Sequence, residues 1–86
     1  MLIVELAFTE TPERLAARPA HRAALTRLHE EGRLLGAGPW SDDSGALLVF
    51  CVGRPELEAL LDEDPYYRTP GVEVTAVREW WPVVGP

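Results

Sequence analysis

The chain has 86 residues, 47% of them apolar, and sets 14 acidic side chains against eight arginines and no lysine, a net charge of −6. That balance excludes a nucleic-acid backbone or an anionic membrane surface as partner, because both require clustered basic charge. One domain, residues 1–86, fills the length, and since a chain this short buries only about 60% of its unfolded surface and Cys51 is its single cysteine, a partner subunit is the remaining support.

In chain order, Met1-Leu2-Ile3-Val4-Glu5 lacks a basic leader and a cleavage site, so it reads as the start of a strand and not as a signal peptide. That strand runs Leu2 to Phe8, with Leu2, Val4, Leu6 and Phe8 on one face and Ile3, Glu5 and Ala7 on the other. Thr9 or Thr11 then caps a helix with Pro12 near its first position. Helical spacing continues from Glu13 to Glu31, with Ala17, His21, Ala24, Leu25 and Leu28 on the apolar stripe and Arg14, Arg18 and Arg22 mostly outside it. Pro19 either kinks this helix or restarts it. Gly32 ends it, being free to take a positive φ.

Arg33 to Gly38 is a second strand built of small residues, and Pro39 to Gly45 is a loop. Ala46 to Val52 is apolar on both faces and so a central strand; it is also the longest apolar run, far too short to cross a bilayer. Gly53-Arg54-Pro55 opens a second helix that buries Leu57, Leu60 and Leu61 and stops at Asp64-Pro65. Val72 to Trp81 is the last strand, with Val72, Val74 and Ala76 alternating against Glu73, Thr75 and Val77.

The order β-α-β-β-α-β gives an α+β, ferredoxin-like fold with both helices on one face of a four-stranded antiparallel sheet. The other face would carry Ile3, Ala7, Val77 and part of the third strand, too apolar to leave in water. Packing it against the same face of a second copy makes a homodimer, a dimeric α+β barrel. These features together point to a cytoplasmic protein.

Arg18-Pro19-Ala20-His21, then Leu28-His29-Glu30-Glu31-Gly32-Arg33-Leu34, Ala37-Gly38-Pro39 and Asp64-Pro65-Tyr66 followed by a glycine and an alternating strand, resemble the YCII-related family. The resemblance spans nearly the whole chain, and its specificity lies in the ordered set. It implies the dimeric barrel and an active site built on His21 and Asp64. One branch of that family dehalogenates chlorinated muconolactones. The loop Ser41 to Gly45 departs from many members in being shorter.

His21 sits on the apolar stripe with Ala17, Ala20 and Ala24 leaving room beside it, and an imidazole exchanges protons near neutral pH. If Pro19 restarts the helix, His21 lies in its first turn, where the positive helix end favours the neutral ring. The competing reading is a core histidine bonded to backbone. Asp64 would orient the ring, or cap the turn Pro65-Tyr66-Tyr67, and the two roles are compatible. A helix starting near Thr11 puts His21 about 15 Å along its axis, level with the later part of the second helix. A pairing between subunits is the alternative.

Tyr66 and Arg18 are the substrate-binding candidates, as phenol donor and carboxylate partner; packing and a solvated helix face are their plainer roles. His29 is read as a cap for the helix end, Cys51 as an inert buried thiol, and Trp40, Trp80 and Trp81 as core rim or dimer contacts. Glu5 is either a pocket carboxylate or an interface charge paired with Arg78. No glycine-rich phosphate fingerprint or metal cluster appears, so no cofactor and no metal are expected. The expected function is a cofactor-independent enzyme moving protons on a small acidic or lactone-like ligand, and the alternatives are a non-catalytic dimeric binding module or an accessory subunit.

Overall fold

Alternation over the first residues forms strand β1, Leu2–Phe8, with Leu2, Val4 and Leu6 buried, in a computed structural model that describes residues 1–85. Helix α1, Pro12–Glu30, follows; Thr11 caps it, its hydroxyl oxygen accepting from the Arg14 N–H at 3.1 Å. The helix runs on through Pro19, so the restart at that residue is overturned. Pro19 faces solvent, where losing one backbone hydrogen bond leaves no buried group unpaired. Gly32, at φ +76°, ends the helix, and the Arg33 N–H reaches back to the Leu28 carbonyl at 2.9 Å.

Strands β2, Leu34–Pro39, and β3, Gly45–Phe50, helix α2, Arg54–Glu63, a short 3₁₀ turn, Pro65–Arg68, and strand β4, Val72–Glu79, complete the order β-α-β-β-α-β. The antiparallel sheet runs β2-β3-β1-β4, a ferredoxin-like arrangement with β1 and β3 in the middle. Leu2, Val4 and Leu6 meet Ala46, Leu48 and Phe50 on the helix-covered face, and Leu57, Leu60, Tyr66 and Tyr67 close the core from above. Burying each large aliphatic side chain contributes about 1.5–3 kcal/mol.

On β4 the simple alternation fails. The register with β1 shifts between Glu5 and Leu6, so that Glu5 faces Ala76 while Leu6 faces Val74. The extra residue, Thr75, is a bulge, and its hydroxyl donates to the Glu5 carbonyl at 3.1 Å. Val77 therefore packs on the core, and Ala76 takes the place on the open face expected for Val77. That open face carries Ile3, Ala7, Leu47, Val49 and Ala76, with Glu5 and Arg78 3.8 Å apart across two strands.

Cys51 is exposed, against the expectation of a buried thiol, because alternation from Leu47 and Val49 puts it on the open face, with its N–H still bonded to the Arg33 carbonyl at 2.9 Å. Trp40, Trp80 and Trp81 are also exposed, Trp81 the most at 80%. His29 ties the end of α1 to the next strand, its Nδ1 lying 3.0 Å from the Leu34 carbonyl.

Candidate functional site

The α1 stripe that faces the sheet includes two polar residues, Arg14 and His21, seven residues apart and so on one side of the helix. Opposite this stretch lies Gly36-Ala37-Gly38 of β2, whose small side chains cannot fill the space beneath the helix. The result is a cleft of about 460 Å³ between α1, the outer half of the sheet and the β2–β3 loop. Leu6, Phe8, Leu25 and Leu48 supply apolar walls; Arg14, Arg18, Arg22, His21, Asp43 and Tyr66 bring polar groups to it. The alanines expected to make room beside His21 do not line this cleft, and Ala24 lines a second, smaller one between the helices.

His21 and Asp64 meet within one subunit. Nδ1 of His21 lies 2.6 Å from Oδ2 of Asp64, across 43 residues of chain. α1 begins at Pro12, so His21 stands well along its axis, level with the residue that ends α2. The other carboxylate oxygen, Oδ1, accepts the Tyr66 N–H at 3.0 Å and caps the 3₁₀ turn. Asp64 thus makes both contacts at once, one per oxygen. Arg68 fixes the same turn from below by donating to the Leu61 and Asp62 carbonyls at 3.0 and 2.9 Å.

The imidazole has little freedom. Tyr66 stacks on it, with centroids 4.0 Å apart and planes 10° from parallel, and Tyr67 meets it edge-on at 5.3 Å. Burial pushes the Tyr67 phenol well above its ordinary pKa, with Asp64 and Tyr66 adding to the effect, so it stays protonated. An ionised Asp64 accepts only, which assigns the proton of the neutral ring to Nδ1 and leaves Nε2 as an acceptor. Among the described residues no protein group bonds Nε2, and it is not sealed off from solvent.

Burial holds the His21 pKa below 6.5; Asp64 opposes this and Arg22 reinforces it. The cause is desolvation and not the helix end, because His21 sits mid-helix. In the unfolded chain the ring takes a proton near pH 6.5, before the folded one does. The stabilising contribution is therefore complete above pH 6.5 and is lost as pH falls through the lower folded value. Stability measured by urea unfolding is expected to drop as pH falls below about 6.5, and less steeply in His21→Gln.

Arg14 is a correction to the sequence reading, which placed it off the buried stripe. It is 2% exposed. Its Nη2 pairs with Asp43 Oδ2 at 2.9 Å, and its guanidinium carbon stands 4.4 Å from the centre of the Phe8 ring. Burial opposes its charge, but Asp43 and Tyr66 outweigh that and raise its pKa. The sequence signal for it was the spacing Arg14, Arg18, His21, a helical line of polar groups leading to the histidine. Asp43 carried no such signal. Arg18 lines the cleft half-buried, and Tyr66 lines it while stacked on His21. Glu5 is not in the cleft wall; it lies on the open face beside Arg78.

Among the described residues no group of three His, Cys, Asp or Glu side chains is arranged to hold a metal ion, and no helix is long and apolar enough to cross a membrane. A model of the YCII-related domain matches residues 1–81. The chain belongs to the YCII-related family. Within it, the chain is similar to the proteins named YciI from Escherichia coli O6:H1 and Shigella flexneri, each 42% identical over 65 residues. Each match covers 63% of this chain and 66% of the relative, just under two thirds of its length. Of the segments that carried the sequence resemblance, three reach this cleft, through Arg18 and His21 on α1, Ala37 to Pro39 on β2, and Tyr66 after Asp64; the segment from Leu28 to Leu34 does not.

Proposed function

We propose that this YCII-related protein is a cofactor-independent enzyme that moves protons on a small acidic or lactone-like molecule, with His21 as general acid and base and Asp64 as its orienting partner. The observation that carries the reading is the 2.6 Å contact from His21 Nδ1 to Asp64, which leaves Nε2 without a protein partner on a residue that lines the cleft. A ring held neutral by burial can take a proton from carbon next to a carbonyl. The imidazolium so formed is stabilised by Asp64, and the proton is then returned to a different carbon of the same substrate. Arg18 would face a substrate carboxylate, and Tyr66 would flank the reacting carbon as donor and as the wall behind the ring.

The working unit in this reading is a homodimer. The open sheet face is apolar along Ile3, Leu47, Val49 and Ala76, and a two-fold copy of the same face would cover it. A non-catalytic dimer that only binds a small molecule would use the same cleft without needing the free Nε2.

The test is hydrogen–deuterium exchange at carbon. Unsaturated γ-lactones bearing a carboxylate are incubated with the protein in D₂O and followed by proton NMR. Wild type is expected to wash out a C–H signal next to the carbonyl, and His21→Ala to lose that exchange while remaining folded. Exchange by His21→Ala at the wild-type rate, or none by wild type across the series, would remove the catalytic reading.

A further inference from the structure

Arg14 is a buried cation whose hydrogen bonding is incomplete. Nε and Nη1 are shut off from solvent and have no hydrogen-bond partner. A charged donor left without an acceptor is among the costlier features of a protein interior. Phe8 offers a ring face, Asp43 one oxygen and Tyr66 a phenol close enough to favour the charge, and the Asp43 side chain is itself 47% exposed.

Asp43 reaches Arg14 from an unusual backbone conformation. It stands at φ +58°, alone among the described non-glycine residues in having a positive φ. A tight turn places it there, with its N–H on the Trp40 carbonyl at 2.9 Å and the Ser44 N–H on Asp42 Oδ1 at 3.0 Å. The carboxylate of Asp43 thus projects into the cleft from a solvent-facing loop, onto a guanidinium rooted in the core.

The cleft is also electrically unlike the rest of the chain. Three arginines and one aspartate line it, while the whole sequence carries −6. Among the described residues neither Arg18 nor Arg22 forms an ion pair. Leu6, Phe8, Leu25 and Leu48 in the same walls call for an apolar body attached to the anion.

We propose that Arg14 is the seat for the carboxylate of an organic acid, and that an arriving ligand displaces Asp43 from it. The proposal rests on reading this cleft as a ligand site, and it names the ligand class: a monoanion with a compact apolar body whose one carboxylate lies toward the β2–β3 loop, seated on Arg14 and flanked by Arg18, and whose other end reaches His21. A planar carboxylate matches the guanidinium as Asp43 does, and it brings the acceptors that Nε and Nη1 lack. Asp43 makes ligand entry an exchange of one carboxylate for another, so the loop discriminates against neutral molecules and weak anions.

The probe is benzoate, with benzamide as its neutral counterpart and inorganic phosphate as an anion without an apolar body. Binding is followed by calorimetry and by the NMR signals of the His21 ring. Benzoate is expected to saturate wild type, and benzamide and phosphate are not. Asp43→Asn, which suits the left-handed backbone, removes the competitor and should tighten benzoate by about tenfold. Arg14→Lys keeps the charge but not the fork, and should weaken benzoate by about tenfold or more. Benzoate binding no tighter in Asp43→Asn, or matched by benzamide in wild type, would overturn the proposal, and the exposed Asp43 variant gives that answer even if Arg14→Lys is unstable. His21→Ala should still bind benzoate, so failure of the carboxylate seat and failure of the catalytic reading are told apart.

Discussion

Asp64→Asn should lower the rate of any proton-transfer reaction of this protein by about 10²–10⁴-fold while leaving the fold in place. The reason is the tautomer. The carboxylate accepts from Nδ1 of His21 and so leaves the lone pair on Nε2, where the proposed reaction needs it. An asparagine can still accept the Tyr66 N–H through its oxygen, preserving the cap on the 3₁₀ turn. Its amide group then faces His21 as a donor, and the ring answers by moving its proton to Nε2. The base is lost although every heavy atom stays near its place. The same change removes the one influence that raises the His21 pKa, leaving desolvation and Arg22 to depress it further. Steady-state kinetics with a substrate found by C–H exchange gives the rate, and NMR titration of the ring gives the pKa. A loss of less than threefold, with the ring titrating as in wild type, would reduce Asp64 to a helix cap.

A large loss of stability is expected from Gly71→Ala, about 3 kcal/mol, or a fall in melting temperature of about 12–24 °C for a chain of this size. Gly71 stands at φ +97°, a conformation that side chains avoid. A Cβ there would sit 2.5 Å from Thr11 Oγ1 and 2.6 Å from the Thr9 carbonyl oxygen. Thr11 is already committed on two sides, accepting from Arg14 N–H and donating to the Pro70 carbonyl at 2.6 Å. Relieving the clash moves either the start of β4 or the cap of α1, the end of the helix that carries Arg14. Thermal unfolding by circular dichroism checks the prediction; a loss below 1 kcal/mol would mean that this junction yields easily.

Where hydrophobic period and secondary structure agree, the sequence was legible. Leu2, Val4 and Leu6 alternate and are buried as alternation requires; Leu57 and Leu60 recur at helical spacing and are buried likewise. Those elements, with the breaks at Gly32 and Asp64-Pro65, are enough for the order β-α-β-β-α-β. The His21–Asp64 contact was legible only as a family resemblance joined to a length argument along α1. Nothing local in either segment requires two residues 43 apart to touch.

What escaped the sequence did so for identifiable reasons. The bulge at Thr75 inserts one residue into a pattern of period two, and a threonine in a strand gives no warning of it. Cys51 ends an apolar run but falls by alternation on the open face of the sheet, so its hydrophobic neighbours misled. Arg14 is the instructive case. Its burial makes the inward stripe of α1 partly polar, which blurs the helical pattern where the cleft is built. A polar residue two turns from a candidate base, on the same side of the helix, was the available sign.

The central claim is that His21 stands neutral in its cleft, proton on Nδ1 toward Asp64 and lone pair on Nε2 toward the ligand space. Nitrogen-15 NMR of the imidazole, recorded through a pH titration, tests it most directly. The expected result is the Nδ1–H tautomer at neutral pH and protonation only below 6.5, with Asp64→Asn switching the tautomer. A ring that carries its proton on Nε2, or that is already an imidazolium at neutral pH, would contradict it.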